Sequence, residues 1–249
     1  VAVRMIVYRE NEIRAFNPEE YWSIEGKFIY SRKNISADFY GDETGKIELK
    51  NKADADKVLR ASTGTAVVKN VSHKQKSDKA PALYDLTTLQ RDANRLFGFT
   101  AQQTLDYAQA LYEKQLLTYP RTDSRYLTVD MQDKLVPLAE QLAASLPFME
   151  GMQLNLTPSQ VINDSKVSDH HAIIPTVKVD RTVMDNLTQG ERSLLCLVAT
   201  RLICAISPVY TYDETIVILD CQGYTFQAKG KTVTQMGWLA HEMSFLGGT

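Results

Sequence analysis

Residues 116–127 of the 249-residue chain read Leu116-Leu117-Thr118-Tyr119-Pro120-Arg121-Thr122-Asp123-Ser124-Arg125-Tyr126-Leu127. This stretch follows a long helical pattern and breaks it with a proline. Because the residue before a proline is pushed toward extended geometry, Tyr119 is predicted to leave the helix end in an extended conformation. Its phenol then cannot fold back on its own helix and can point into a cleft.

Three side chains of this stretch are predicted to share one face. In an extended segment alternate residues point the same way, which groups Tyr119, Arg121 and Asp123. A phenol is a nucleophile, a guanidinium grips phosphate oxygens with a planar fork, and a carboxylate can orient either group. The pattern therefore favours phosphoryl transfer to a tyrosine. The alternative is an ordinary loop, since Asp and Ser are common turn residues.

Composition limits the classes of protein to consider. The length allows one large domain or two ordinary ones, and 44% hydrophobic residues can fill real cores. A formal net charge of −2 excludes a uniformly basic nucleic-acid coat, although residues 69–126 carry nine Lys/Arg against six Asp/Glu. The three cysteines lack metal-site spacing, and no apolar run approaches the ~18 residues of a membrane span. Since the chain begins Val1-Ala2-Val3-Arg4 and enters a helical pattern at once, we expect a piece of a longer protein.

The hydrophobic period changes twice along the chain. It alternates in steps of two from Tyr21 onward, becomes helical after residue 81, and alternates again after Pro208, with a turn at Gln222-Gly223. The simplest architecture is a helical domain inserted into a β-rich domain, an α+β fold. Residues 41–47 partly resemble a phosphate-binding loop, but the stretch is one residue shorter than that motif, so we interpret it as a hairpin turn. The polar, lysine-rich residues 72–81 are predicted to form a linker or the edge of a domain.

The helical part carries clear boundary signals. Gly98 is predicted to end its first helix, and capping boxes at Thr100 and Thr188 to open two others. The helix after Thr100 is predicted to turn Leu105, Ala108, Leu111 and Tyr112 inward and to run directly into the Tyr119 segment. Thr128 is expected to cap another helical stretch, which Pro137 interrupts or restarts.

A histidine pair lies further along, in Asp169-His170-His171-Ala172-Ile173-Ile174-Pro175-Thr176. Adjacent side chains of an extended chain point to opposite sides, so the two histidines are not expected to share a metal ion. No acidic cluster with metal-ligand spacing accompanies them. One histidine is predicted to be a site residue and the other structural or exposed.

Taken together, these blocks resemble the type IA DNA topoisomerases, the family of bacterial topoisomerases I and III. The match consists of four blocks in the family's order: residues 1–7 with 15–22, residues 86–93, residues 117–124 and residues 169–176. The first looks like the entry into the β arch, the second like the first helix of the tyrosine domain, the third like the active-site motif and the fourth like the downstream histidine motif. The resemblance implies a β arch (1–80 and 208–249) and a helical catalytic-tyrosine domain (81–207).

The resemblance also implies a mechanism and roles. Tyr119 would attack a phosphate of single-stranded DNA to give a 5′-phosphotyrosine and a 3′-hydroxyl, so religation needs no ATP. Arg121 would stabilise the phosphate charge and Asp123 would orient Arg121 or its neighbours. DNA contacts are expected from His170, Thr122, Ser124 and Arg125. The arch would act as the gate for strand passage in a cytoplasmic, nucleoid-associated enzyme.

The resemblance implies that the family's acidic, metal-binding domain and most of its winged domain find no counterpart in this sequence. Mg²⁺ is therefore expected to be bound by the acidic domain and not by this chain, which would be inactive alone. The chain could then be a non-catalytic single-stranded-DNA-binding or gate module. A tyrosine recombinase is disfavoured, because such enzymes gather distant Arg and His around a late tyrosine. The entry block is more similar to topoisomerase I and the histidine block to topoisomerase III, which leaves the subtype open.

Overall fold

The computed structural model describes residues 1–41 and 47–247. The chain divides into two compact units, one formed by Val1–Lys74 with Asp213–Thr232 and the other by Gln75–Tyr212 with Val233–Thr249. The second unit is thus helical and interrupts a β-rich first unit. Its terminal part takes in residues 233–249, which the sequence pattern had grouped with the β-rich domain.

The first unit contains most of a five-stranded sheet. Its elements are α1 (Ala2–Ala15), β1 (Glu25–Tyr30), β2 (Lys33–Gly41), α2 (Lys52–Ala61), β3 (Val67–Asp78), β4 (Tyr210–Cys221) and β5 (Tyr224–Gln235), with the ends of β3, β4 and β5 in the second unit. The strand order is β1-β2-β5-β4-β3. Antiparallel pairing sets Glu25 opposite Asp38 in β1–β2 and Phe39 opposite Phe226 in β2–β5, where the register then shifts.

Two hairpin turns and a small aromatic core stabilise this sheet. Ser31-Arg32 and Gln222-Gly223 have positive φ at both positions, as a two-residue turn between twisted strands requires. The predicted turn at Gln222-Gly223 is therefore confirmed. The core consists of apolar side chains from the sheet and α2: Ile24, Ala37, Phe39, Ala55, Val58, Leu219, Cys221, Phe226 and Ala228.

The second unit is a helical bundle with irregular connections. Its helices are α3 (Leu86–Phe97), α4 (Ala101–Glu113), α5 (Gln132–Ser145), α6 (Arg181–Asp185), α7 (Gln189–Ala205) and α8 (Trp238–Gly247), and short 3-10 turns cover 129–131, 147–149, 158–161 and 164–166. Helix α7 is central, with residues such as Leu194, Leu195 and Leu202 fully buried. Both capping boxes form, and Gly98 ends α3 at φ 72°.

Several expectations about single elements were wrong. Residues 72–78 do not form a linker. They are the second half of β3, a sheet-edge strand that is exposed almost throughout, which accounts for their polar composition. The boundary between the two units lies within them, after Lys74, as the alternative of a domain edge had it. Helix α5 continues through Pro137 instead of breaking. Pro137 has no N–H to donate to the carbonyl of Asp133, but both residues are exposed, so water can replace that hydrogen bond. Thr128 makes no side-chain cap, and it precedes a 3-10 turn. The expected turn at 41–47 lies largely outside the described residues.

Helix α4 also ends earlier than predicted. It stops at Glu113, and Gln115 takes a left-handed φ of 59°. The N–H of Gln115 then donates to the carbonyl of Tyr112 at 2.8 Å, and the N–H of Leu116 to that of Leu111 at 2.8 Å. This is the Schellman motif, in which glycine is usual at the left-handed position. Because glutamine occupies it here, the sequence did not indicate that the helix ends at this point.

Candidate functional site

The segment around Tyr119 alternates between exposed and buried side chains. Pro120, Thr122 and Ser124 are buried, whereas Arg121 and Asp123 are exposed and Tyr119 is half-buried. Residues 118–126 belong to no helix or strand, and the alternation follows the extended backbone predicted for this stretch. The extended path therefore presents Arg121 and Asp123 to solvent while it anchors the residues between them.

Residues 172–176 hold this segment by strand-like pairing. Leu117 pairs with Pro175, and the N–H of Thr118 donates to the carbonyl of Ile174 at 3.0 Å. The Thr118 hydroxyl donates to the Ala172 carbonyl at 3.1 Å and accepts from the N–H of Ile174 at 2.9 Å. The Thr118 side chain thus adds two hydrogen bonds between the segments to those that the backbone makes.

This pairing brings His170 to Tyr119. Their ring centroids are 4.3 Å apart with the planes inclined by 44°. His170 is exposed, whereas His171 is half-buried and its Nδ1 lies 2.8 Å from the Ala172 carbonyl, to which it donates. The two histidines therefore face different surroundings, and only His170 contacts the tyrosine ring.

A second aromatic neighbour of Tyr119 was not singled out from the sequence. Tyr112 of α4 meets Tyr119 edge to face, with centroids 5.5 Å apart and an interplanar angle of 77°. Its side chain was expected to face inward, but it is 39% exposed. The sequence feature that could have indicated this contact is the tyrosine itself, since the other predicted inward-facing residues of this helix, Leu105, Ala108 and Leu111, are aliphatic. The Tyr119 ring thus lies between Tyr112 and His170.

A groove of about 510 Å³ adjoins the Tyr119 segment. All but one of its lining residues are polar or charged, and they come from three chain segments: Asp85, Leu86, Thr87, Arg121, Thr122, Asp123, Ser168, Asp169 and His170. Arg121 and His170 are thus brought to one surface, with carboxylates beside them. Arg121 and Asp123, which the structure describes, form no ion pair with each other. A larger cavity of about 570 Å³ lies elsewhere in the helical unit and contains none of the predicted site residues.

Three of the predicted contact residues are used internally. The Thr122 hydroxyl donates to the His170 carbonyl at 3.0 Å, and it accepts from the N–H of Ser124 at 3.1 Å. The Ser124 hydroxyl lies 2.8 Å from the Lys166 carbonyl. Nε of Arg125 donates to the Leu83 carbonyl at 3.1 Å. These residues fix the backbone around His170 and the groove.

A buried polar network behind the groove was missed by sequence reasoning. The hydroxyl of Tyr84 donates to the Asp92 carboxylate at 2.8 Å, and Arg201 donates to both, at 2.7 Å to the hydroxyl and 2.6 Å to the carboxylate. The Tyr84 carbonyl accepts from the N–H of Ile173 at 2.8 Å. The network therefore stabilises one end of the segment that carries His170.

Burial and charge act in opposite directions within this network. Burial raises the pKa of the Tyr84 phenol strongly, so the hydroxyl remains a donor. Burial also acts to raise the pKa of Asp92, but the hydrogen bond from Tyr84 and the charge of Arg201 outweigh it, and the pKa of Asp92 falls below its usual value. Asp92 is therefore an anion paired with the Arg201 guanidinium, whose carbon lies 4.2 Å from the centre of the Tyr84 ring.

The described residues provide no metal centre. Across 1–41 and 47–247 there is no group of three or more His, Cys, Asp or Glu that could hold a metal ion. Over the same residues, the helices are too short or too polar to cross a membrane. The site is therefore an assembly of a phenol, an imidazole, a guanidinium and carboxylates.

Comparisons with known proteins agree with this arrangement. A family model described as DNA topoisomerase matches residues 1–244. The chain is 38% identical to the DNA topoisomerase 3 of Bacillus subtilis over 242 residues, which cover 95% of this chain and 32% of that protein. It is also 38% identical to the DNA topoisomerase 3 of Bacillus cereus over 245 residues, again 95% of this chain and 32% of the relative.

A solved structure shares the fold. Full-length topoisomerase I from Thermotoga maritima superposes with a TM-score of 0.72 at 21% identity, over 94% of this chain and 38% of that one. The chain thus spans about a third of the length of the curated relatives it matches.

Proposed function

Because the chain belongs to the type IA DNA topoisomerase family, we propose that it supplies the nucleophile and the strand gate of a type IA topoisomerase. In this proposal Tyr119 cleaves one strand of DNA, a second strand passes, and Tyr119 releases the religated product. The observation that carries it is the half-buried Tyr119 ring, whose centroid lies 4.3 Å from that of His170, beside the groove that Arg121 lines.

The proposed cleavage is a transesterification. The phenol oxygen of Tyr119 attacks a backbone phosphorus, the new O–P bond forms, and the bond to the 3′-oxygen of the neighbouring sugar breaks. The phenol loses its proton and the leaving 3′-oxygen gains one. Since the 5′-phosphotyrosine keeps one phosphodiester linkage in place of another, the reverse attack by the 3′-hydroxyl reseals the strand without ATP.

Arg121 and His170 are the groups we assign to the phosphate. Arg121 is exposed in the groove and can present its planar fork to the non-bridging oxygens as charge builds up on them. His170 contacts the ring of the nucleophile and lines the same groove, so it can contact the DNA that reaches Tyr119. Asp123, on the same groove, would orient Arg121 once DNA brings the two together.

Thr122, Ser124 and Arg125 receive a modified role. They were expected to contact DNA, but their hydrogen bonds to His170, Lys166 and Leu83 favour positioning of the site instead.

We assign the metal and the remaining domains to residues outside this chain. The described residues lack a metal-binding group, so no step proposed here runs through Mg²⁺. The β-rich first unit is proposed as the gate arch and the helical second unit as the tyrosine domain. The 38% identity to DNA topoisomerase 3 sequences favours that branch of the family over topoisomerase I.

In a second candidate, this chain on its own is a single-stranded-DNA-binding and gate module without activity, since it spans about a third of the length of its curated relatives. This candidate describes the isolated chain, and the first describes the whole protein. Cleavage assays on the isolated chain and on the full-length protein would distinguish the two candidates.

The nucleophile is tested in the full-length protein with an oligonucleotide labelled at its 3′ end. Attack by Tyr119 leaves that label attached to the protein, and Tyr119→Phe should abolish the adduct because it removes only the nucleophilic oxygen. Tyr126→Phe is the matched control and should retain it. Adduct formation by the Tyr119→Phe protein would refute the assignment.

A further inference from the structure

The exposed Lys166 contacts the half-buried Tyr126 close to the Tyr119 segment. The Lys166 Nζ lies 4.7 Å from the centre of the Tyr126 ring and 3.3 Å from its hydroxyl oxygen, to which it donates. A cation over an aromatic face is attracted by the ring's negative charge density. A long, flexible side chain is thereby held with its ammonium in one place.

The backbones that carry the pair are fastened together. The buried Ser124 hydroxyl lies 2.8 Å from the Lys166 carbonyl and 3.3 Å from the Tyr126 carbonyl. The Tyr126 carbonyl also accepts from the N–H of Ala172 at 2.9 Å. The backbones of Lys166 and Tyr126 are consequently held next to the two segments that carry Tyr119 and His170.

The charge of Lys166 is not neutralised within the described chain. None of the ion pairs formed by residues 1–41 and 47–247 includes Lys166. Its near neighbour Asp164 accepts from the N–H of Val129 at 3.1 Å. The side chain is exposed, so its remaining N–H donors are available to an anion from solution.

We infer that Lys166, held in position by Tyr126, binds a backbone phosphate of the DNA strand that Tyr119 cleaves. Tyr126 follows Tyr119 by seven residues, a distance of at most about 25 Å for a fully extended chain. A bound single strand can span this length, since its phosphates recur every few ångströms. The inference rests on the proposed function and adds a phosphate subsite to it.

The subsite is tested by binding of a single-stranded oligonucleotide to the full-length protein over a range of salt concentrations. Lys166→Gln should weaken binding at low salt and reduce the slope of log K against log salt by about 0.7, the value for one phosphate contact on a single strand. Lys57→Gln, at an exposed position of α2, is the matched control and should leave the slope unchanged.

A neutral methylphosphonate, placed at each position of the oligonucleotide in turn, locates the contact. One position should weaken binding to the wild-type protein but not to the Lys166→Gln protein, because the variant has already lost that contact. An identical profile for the two proteins, or an unchanged salt slope, would overturn the inference.

Tyr126 is expected to act through Lys166 as a positioning residue. Tyr126→Leu should reduce the salt slope as Lys166→Gln does, and the double variant should lose little more, whereas Tyr126→Phe keeps the ring and should retain most of the slope. Full additivity of the two changes would contradict the coupling. The 3′-label adduct is measured in parallel: if it forms at Tyr119 while the slopes stay unchanged, only the subsite fails, and if it does not form, the proposed function fails.

Discussion

Tyr119 is positioned by its two aromatic neighbours as well as by its own backbone. Tyr112 meets the ring edge to face at 5.5 Å, and His170 lies against it at 4.3 Å. Such pairs contribute about 0.5–1.5 kcal/mol each beyond simple burial. That is enough to favour one orientation of a half-exposed phenol several-fold, which matters when an oxygen must be aligned with a phosphorus.

The contact with Tyr112 predicts a defect in rate. Tyr112→Leu should lower the single-turnover cleavage rate at saturating oligonucleotide by about 2- to 12-fold, the equivalent of losing one edge-to-face pair. Tyr112→Phe keeps the ring and should stay near wild type, and oligonucleotide affinity should change little in either. Tyr30→Leu, at an exposed position of β1, is the control. An equal loss in the Leu and Phe variants would assign the effect to the hydroxyl instead.

Replacing Arg121 should lower the single-turnover cleavage rate more than replacing Tyr112. Arg121→Lys keeps the positive charge but replaces the planar fork by a point charge. We expect the cleavage barrier to rise by about 2–4 kcal/mol, the effect of deleting one preorganised donor. Arg60→Lys on α2 should have no effect. A cleavage rate within a factor of about three of wild type would show that Arg121 does not stabilise the transferring phosphate.

At the level of elements, the site depends on a segment that is neither helix nor regular strand. Residues 170–176 are tied to Tyr84 by one bridge and to Leu117 by another. The Tyr84–Asp92–Arg201 network supports the first bridge, and the Thr118 hydroxyl the second. Side-chain hydrogen bonds therefore replace the ladder that a longer strand would have provided.

A buried histidine of helix α8 should make the stability of the protein depend on pH. His241 is buried at 4% exposure, its Nδ1 has no hydrogen-bond partner among the described residues, and burial lowers its pKa. Below about pH 6.5 the unfolded chain binds a proton there that the folded chain does not. The free energy of unfolding should therefore fall as pH falls, by at most about 1.4 kcal/mol per pH unit.

Urea unfolding at about pH 5.5 and about pH 7.5 tests this expectation. The His241→Leu protein should show a smaller difference between the two pH values than the wild type. His73→Leu, which changes an exposed histidine of β3, serves as the control. If His241→Leu kept the full pH dependence, other groups would have to account for it.

On the scale of the whole molecule, two separate hydrophobic cores accompany two units. One core belongs to the sheet and α2, and the other to the helical bundle around α7. The chain passes from one unit to the other within β3, β4 and β5, which are neighbours in the sheet order. Each core thus belongs to one unit alone.

The isolated chain is expected to fold but not to relax supercoiled DNA. Its described residues lack a metal-binding group, and it spans about a third of its curated relatives. With a net charge of −2 it should bind single-stranded DNA weakly and lose that binding as salt rises. An agarose-gel relaxation assay with Mg²⁺ measures the activity, with the full-length protein as the positive control. Relaxation by the isolated chain would contradict this expectation.

The sequence by itself determined the features that are encoded over a few residues. The capping boxes at Thr100 and Thr188, the helix end at Gly98 and the turn at Gln222-Gly223 all depend on hydrogen bonds or φ values within three or four positions. The family resemblance likewise came from short motifs, and the family match over residues 1–244 confirms it. Local chemistry of this kind can be recognised without a fold.

Only the tertiary structure decided what surrounds Tyr119. Three contacts arise where packed segments meet: the ring contact with His170, the hydrogen bond from the Thr118 hydroxyl to the Ala172 carbonyl, and the network of Tyr84 with Arg201, residues 117 positions apart. The exposed strand β3 was hidden for the same reason, since long-range pairing overrides local preference there. The left-handed Gln115 was hidden because glutamine stands where glycine usually marks such a helix end. Propensity acts between neighbours in sequence, whereas the contacts that place a nucleophile are made between residues that only packing brings together.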